Sequence, residues 1–273
     1  MQYFIPDLRL TTQLPMQTSI EDKFGGRPWG LPISRWPLCT NCGKHQSLIA
    51  QLQHDAVRLD LGADGRVLFV FQCDHNPGEC ESWDGSSGAN SCFVVEGNEL
   101  LNCTTELPDD KPTIETEARV IGWLIKEDGI DEKIDYELYQ ANYYALPDEM
   151  RAAISEATKL GAVPKWEQNP EEAPLGDWYF VGQINYLMRF YSELPQPDEV
   201  GCTVETVVNR RRKSLEPKYL DPRAPHSISP LNDPDTGAKW YCDAPNFGDC
   251  GTAYIFLRKT EHQPEGYFFW QCG

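Results

Sequence analysis

Four of the ten cysteines in this 273-residue chain are spaced for metal chemistry. Cys39-Thr40-Asn41-Cys42-Gly43 is a C-x2-C pair closed by glycine, a turn in which backbone N–H groups can point at thiolate sulfur. Cys73 and Cys80 form a C-x6-C pair directly after the strand candidate Val67–Phe71. Two hairpin-like thiolate pairs are what a closed tetrahedral zinc site needs, so Zn2+ held by Cys39, Cys42, Cys73 and Cys80 is the expected cofactor. His75 can stand in for either member of the second pair, and four buried free cysteines are the competing account. Cys92, Cys103, Cys202, Cys242, Cys250 and Cys272 show no ligand spacing and read as small apolar residues.

The expected metal is structural. A catalytic zinc keeps an open position beside a general base. Pro37-Leu38-Cys39-Thr40-Asn41-Cys42 echoes the P-C-x-x-C of nucleobase deaminases, but no histidine precedes His45 to complete their H-x-E element. H-E-x-x-H, P-loop, G-x-S-x-G and G-x-G-x-x-G patterns are lacking as well. His45, His54, His75, His226 and His262 are dispersed, and Asp249 with His262 is the best remaining candidate pair for an enzyme.

The elements that must position these groups occur nearly twice. Lys23-Phe24-Gly25-Gly26-Arg27-Pro28-Trp29, Trp36-Pro37 and Ser47-Leu48-Ile49-Ala50-Gln51-Leu52 are followed by strand candidates at Val67–Phe71 and Cys92–Val95. Lys159-Leu160-Gly161-Ala162-Val163-Pro164-Lys165-Trp166, Ala173-Pro174 and Tyr179-Phe180-Val181-Gly182-Gln183-Ile184 repeat that order, with strand candidates at Ala253–Leu257 and Tyr267–Trp270. Lys23 and Lys159 are 136 residues apart, and Gln51 and Gln183 are 132 apart. The glycines permit positive φ, the prolines stop continuation, and the lone glutamines are expected to tie down loop backbone. The second copy carries Gly176-Asp177 where the first has its C-x2-C, so one half is metal-stapled and the other is not.

Pro108-Asp109-Asp110-Lys111-Pro112 is a turn-rich boundary. The expected organisation is a β-rich half with the zinc knuckle at 1–107, a helical connection at 108–147 and a second half at 148–273. Helices are expected at Asp131–Tyr144 and Asp148–Leu160, the latter with an apolar stripe of Met150, Ala153, Ile154 and Ala157 and an end at Gly161. Leu194–Phe247 reads as Pro-rich and irregular, and its Asn209-Arg210-Arg211-Arg212-Lys213 run as a solvated or internally paired face. Strands with few helices and no β-helix-β rhythm give an α+β, β-rich fold of two similar substructures arising from internal duplication.

Basic residues number 24 against 42 acidic ones, a net charge of −18. Such a surface repels phosphate backbones and anionic lipid, which argues against nucleic-acid and membrane partners and suits a basic protein. The N-terminal residues lack a basic stretch followed by an apolar run, and no segment reaches the roughly 20 apolar residues of a membrane helix. A long, core-rich chain with unpaired cysteines fits a cytoplasmic setting.

The motifs from Lys23 to Trp29, Trp36-Pro37, Leu48 to Leu52 and Phe247-Gly248-Asp249-Cys250-Gly251, with Tyr254, Phe256 and Gln271 following, resemble the YwqG-like family of bacterial proteins. Gly25 to Pro28, Cys39 to Gly43 and Val70 to Cys73 are similar to the turn, knuckle and strand of the eukaryotic programmed-cell-death-2 proteins. The likeness spans roughly residues 19 to 272. It implies an α+β fold with no settled activity, and its eukaryotic relatives are chaperones for a basic ribosomal protein. The expected function is therefore a non-enzymatic protein-binding module or client chaperone with structural zinc, for which a basic protein is the client. The alternative is an enzyme with its site in the cleft between the halves.

Overall fold

Strands account for most of the architecture. The computed structural model describes residues 1–11, 14–76, 78–129, 146–155, 158–168, 174–191, 203–209, 214–220, 227–230, 237–243 and 245–273, with backbone alone over 203–230. Ten strands close an antiparallel barrel: β1 (Gln2–Leu10), β2 (Lys23–Phe24), β3 (Ser47–Gln53), β4 (Val67–Gln72), β5 (Asn90–Val95), β6 (Ala118–Glu127), β7 (Lys159–Gly161), β8 (Trp178–Asn185), β14 (Thr252–Arg258) and β15 (Glu265–Gln271). Around the barrel the order is β1-β6-β2-β3-β4-β5-β15-β14-β8-β7. A separate five-stranded sheet runs β10 (Thr203–Asn209), β11 (Ser214–Leu220), β12 (Ser227–Pro230), β13 (Trp240–Asp243) and β9 (Leu187–Phe190). One α-helix, α1 (Asp148–Ser155), is present among the described residues. The fold is thus β-rich, with the closed barrel as its dominant feature.

Alternation along each strand divides its side chains between two layers. One cluster collects Phe4 and Leu8 of β1, Ile49 of β3, Leu68 and Val70 of β4, Val181 and Ile184 of β8, and Ile255 and Phe268 of β14 and β15, so it fills the barrel interior. Phe190 and Cys242, both fully buried, join the five-stranded sheet to that same core. The opposite faces are covered separately. Leu48, Val67, Phe69, Phe71 and Val95 pack outward beneath Leu31 and Trp36, whereas Phe180, Tyr254, Phe256 and Phe269 pack outward beneath Trp166.

The two similar runs occupy matching places in the barrel. Lys23 pairs with Gln51 across β2 and β3, and Lys159 pairs with Gln183 across β7 and β8. Both glutamines tie down loop backbone: Gln51 Oε1 accepts from the Trp29 amide and Gln183 Oε1 from the Lys165 amide, each at 2.8 Å. Gln51 Nε2 also donates to the Glu21 carbonyl at 3.1 Å. Gly25 lies at φ +66°, and a Cβ there would collide with the Thr116 carbonyl oxygen, so the turn after β2 needs glycine. Gln51→Leu keeps the volume and strands the Trp29 amide. We expect a loss of about 1–3 kcal/mol, seen as a lower denaturation midpoint at unchanged m-value.

Three expectations are corrected. The helix expected to run from Asp148 to Leu160 is α-helical over Asp148–Ser155, and Lys159–Gly161 forms β7. Leu160 pairs with Phe4 and Gly182, and Lys159 Nζ donates to the carbonyls of Ala153 and Ile154 at 2.6 and 3.0 Å, capping the helix from the strand. The stretch Leu194–Phe247, expected to be irregular, contains β10 to β13. β1 and β6, which close the barrel through the register Gln2↔Glu127 to Leu10↔Ala118, have no counterpart among the expected strands. The expected helix at Asp131–Tyr144 and the basic run Arg210–Lys213 lie outside the described residues.

Candidate metal centre

Both cysteine pairs leave the barrel from neighbouring strands at the same end. Strand β4 sends Val67, Phe69 and Phe71 to the outer layer, and Cys73 continues the same alternation two residues on. The first pair precedes β3, in a loop closed by the Leu38↔His45 bridge. There Cys39 N–H donates to the Lys44 carbonyl and Gly43 N–H to the Cys39 carbonyl, both at 2.8 Å, and Gly43 takes φ +69°. In the second loop the Cys73 amide donates to the Ala89 carbonyl at 2.8 Å and the Cys80 amide to the Asn76 carbonyl at 3.1 Å. Asn41 Nδ2 donates to the Cys80 carbonyl at 2.7 Å and the Thr40 amide to the Gly88 carbonyl at 3.1 Å, which sews the loops together. Asp110 anchors the arrangement, accepting from the His45 amide at 2.8 Å and meeting its Nδ1 at 2.7 Å.

The structure brings together all four expected ligands. The sulfurs of Cys39, Cys42, Cys73 and Cys80 all lie within 4.8 Å of one another. Tetrahedral Zn–S bonds of about 2.3 Å require sulfurs about 3.8 Å apart. Cys42 Sγ and Cys73 Sγ stand at 3.6 Å, near that edge and too far for a disulfide. Cys39, Cys73 and Cys80 are buried and Cys42 is half-buried. His75 is exposed and stands outside the set, so the all-cysteine arrangement is the one the geometry supports. The donors fit a zinc ion.

The thiols are not equivalent. Burial works against ionisation at Cys39, yet the amides of Cys42 and Asn41 and the neighbouring thiols hold it below the ordinary thiol value. Burial drives Cys73 far above that value and pushes Cys80 up to about 11. A dication supplies the charge that lets four crowded sulfurs be thiolates together.

Asp249 and His262 do not meet. They flank opposite ends of β14, a seven-residue strand spanning about 20 Å, and both are exposed. Gln72 and Asp74, beside the metal centre, were absent from the expected site. Gln72 Nε2 donates to Asp74 Oδ1 at 2.9 Å and to the Asn246 carbonyl at 2.8 Å. Burial pushes Asp74 up to about 6, and burial followed by the Asp74 charge pushes Glu115 up to about 7. No local signal marks this pair, because Asp74 and Glu115 converge only through folding. A carboxyl group with a raised folded-state pKa binds protons better when folded, so its contribution is full at acid pH and is lost as pH rises. For Glu115 the window runs from 4.5 to about 7. Glu115→Gln should then stabilise the protein by up to about 3 kcal/mol near pH 8 and by almost nothing near pH 4. Denaturant titrations of both proteins across that range check the sign.

Among the described residues no helix is long and apolar enough to cross a membrane. No family model and no curated protein matches the chain.

Proposed function

We propose that this chain is a non-enzymatic protein-binding module of the YwqG-like kind, a client chaperone or adaptor for a basic protein, with structural zinc on Cys39, Cys42, Cys73 and Cys80. The observation that carries the reading is closure of the thiol set: four sulfurs within 4.8 Å supply a complete tetrahedral shell. A complete shell leaves no position for substrate, so the metal shapes a surface. A net charge of −18 favours a basic partner. The nine described cysteines are unbridged, which suits a reducing cytoplasm. The Lys–Gln registers Lys23↔Gln51 and Lys159↔Gln183 support descent of the two four-strand runs from one duplicated unit.

Capture from the cell's own cytosol, followed by titration of each purified candidate partner, tests the proposal. A basic protein binding saturably, with affinity falling steeply between about 50 and 300 mM salt, is the expected result. Salt-independent binding, or no basic partner in repeated captures, overturns it. The Asp74–Glu115 pair favours a second reading, an enzyme, because paired carboxyl groups with raised pKa values are common at reaction centres. Under that reading Glu115→Gln abolishes an activity; under ours it leaves partner binding intact.

A further inference from the structure

A cleft of about 470 Å³ opens between the β4–β5 loop and β15, on the seam between the two similar runs. Its walls include Trp83, Tyr267, Phe269 and Trp270, with Asp84 and Gln168 as polar members. Trp83 and Trp270 stand edge to face at 6.3 Å and 80°, and Tyr267 and Phe269 are tilted against each other at 5.9 Å and 57°. Trp83 is 40% exposed, a large ring left open to solvent. Gly85 brings the loop so near β15 that a Cβ there would collide with the Tyr267 ring.

The chemistry of these walls selects a cation. Aromatic faces carry partial negative charge, and among the described residues that line the cleft Asp84 alone carries an acidic or basic side chain. The Ser86 amide and hydroxyl both donate to Asp84 Oδ1 at 2.7 Å, which orients the carboxylate; Oδ2 has no hydrogen-bond partner among the described residues. Elsewhere the molecule fills such an arrangement with arginine. Arg58 lies 4.5 Å over Trp123 and pairs with Asp22 at 3.0 Å. Arg258 lies 4.7 Å over Trp178 and pairs with Glu265. At Trp83 and Asp84 the indole and the carboxylate are both present, and among the described residues no arginine or lysine lies over Trp83 or Trp270.

We propose that this cleft binds an arginine side chain of a basic polypeptide, with the guanidinium stacked on Trp83 and paired with Asp84. The proposal rests on the reading of the chain as a binder of basic protein and names the surface and residue type involved. Arginine suits the site better than a quaternary ammonium because its planar N–H fork can pair with the Asp84 carboxylate while its face stacks on the Trp83 ring. The metal centre positions the wall, since Trp83 to Gly85 follow Cys80 within five residues.

The zinc-loaded full chain is titrated with an arginine-rich peptide, with the same peptide carrying the neutral isostere citrulline at each arginine, and with tetramethylammonium as competitor. Tryptophan fluorescence and calorimetry report binding. The arginine peptide is expected to saturate the protein, and citrulline to weaken binding about tenfold or more. Trp83→Ala should weaken the arginine peptide by a similar factor, Trp83→Phe by about threefold at most, and Asp84→Asn by an intermediate amount. Unchanged zinc content in these variants establishes that the knuckle is intact. If the arginine peptide binds native and Trp83→Ala protein equally, the cleft assignment falls while the basic-partner reading stands. Citrulline binding as tightly as arginine, or tetramethylammonium displacing the peptide at equal concentration, also overturns the assignment. If neither the peptide nor any basic protein binds, both readings fall.

Discussion

Stripping the metal with a strong chelator is expected to speed amide exchange across residues 38–46 and 73–89 while the barrel strands stay protected. The loops that carry the four cysteines have only a small apolar cluster to hold them. Outside the thiol set that cluster contains Ala89 alone, and the other ties are hydrogen bonds such as Asn41 to Cys80 and Thr40 to Gly88, the paired contacts of His45 with Asp110, and the Trp83–Trp270 edge. Structural zinc contributes about 10 kcal/mol or more to small units that lack a core. Here the barrel interior is a core of its own, so most of that energy orders the two loops and global stability falls by a smaller amount, several kcal/mol. A metal-stapled half would be expected to loosen as a whole; the barrel confines the effect to the loops, because β3 and β4 are paired on both sides. Cys73→Ser should lose stoichiometric zinc, whereas Cys92→Ser, outside the thiol set, should keep it. Exchange that is unchanged in both loops after verified metal removal sinks the assignment. The cleft wall at Trp83 lies within the loosened region, so chelation should weaken arginine-peptide binding as well.

The second large effect is expected at Phe71. Its ring is fully buried, stacks on Phe93 at 6.0 Å and 3° and on Phe69 at 6.5 Å, and meets Trp36 at 5.9 Å. Phe71→Ala removes the centre of that layer and leaves a cavity bounded by strands that cannot collapse, so we expect a loss of about 3–5 kcal/mol. Phe71→Leu, nearer in volume, should cost about 1–2 kcal/mol. The consequence reaches the metal centre. Trp36 Nε1 donates to the Gln46 carbonyl at 2.7 Å, fastening the outer layer to the strand entry beside the first cysteine pair. Phe71→Ala should thus release zinc to a competing chelator faster than native protein. Phe256→Ala opens a comparable gap in the outer layer of the second run, where no cysteine set lies among the described residues, and should lose stability without faster release. Equal zinc release from the two variants would disprove the coupling.

Much of the site was legible in the sequence because its signals are local. C-x2-C followed by glycine fixes a turn, and a strand ending one residue before Cys73 fixes where the second pair starts. The strands from Ser47, Val67, Trp178 and Thr252 were readable because a strand buried on both faces is a continuous apolar run, and the half-buried strand from Glu265 because its aromatic residues favour extended backbone. The Lys–Gly–Gln order in each run likewise matched a register, since buried polar side chains tolerate few positions.

What the tertiary structure alone decided was how distant segments meet. β1 carries Pro6, Asp7 and Arg9 and has no clean alternation to announce it, yet it pairs with a strand more than a hundred residues away. Lys159 and Leu160 continue a helical pattern, but pairing with Phe4 and Gln183 outweighs one further helical turn. His75 lies between two ligands in sequence and points to no shared sulfur position in space. The Asp74–Glu115 pair and the Trp83 cleft arise only where a loop of the first run closes on strands from elsewhere. Local composition determined the donors, the turns and most of the strands of this protein. Barrel closure, a sum of hydrogen bonds between residues far apart in the chain, decided which of them share a site.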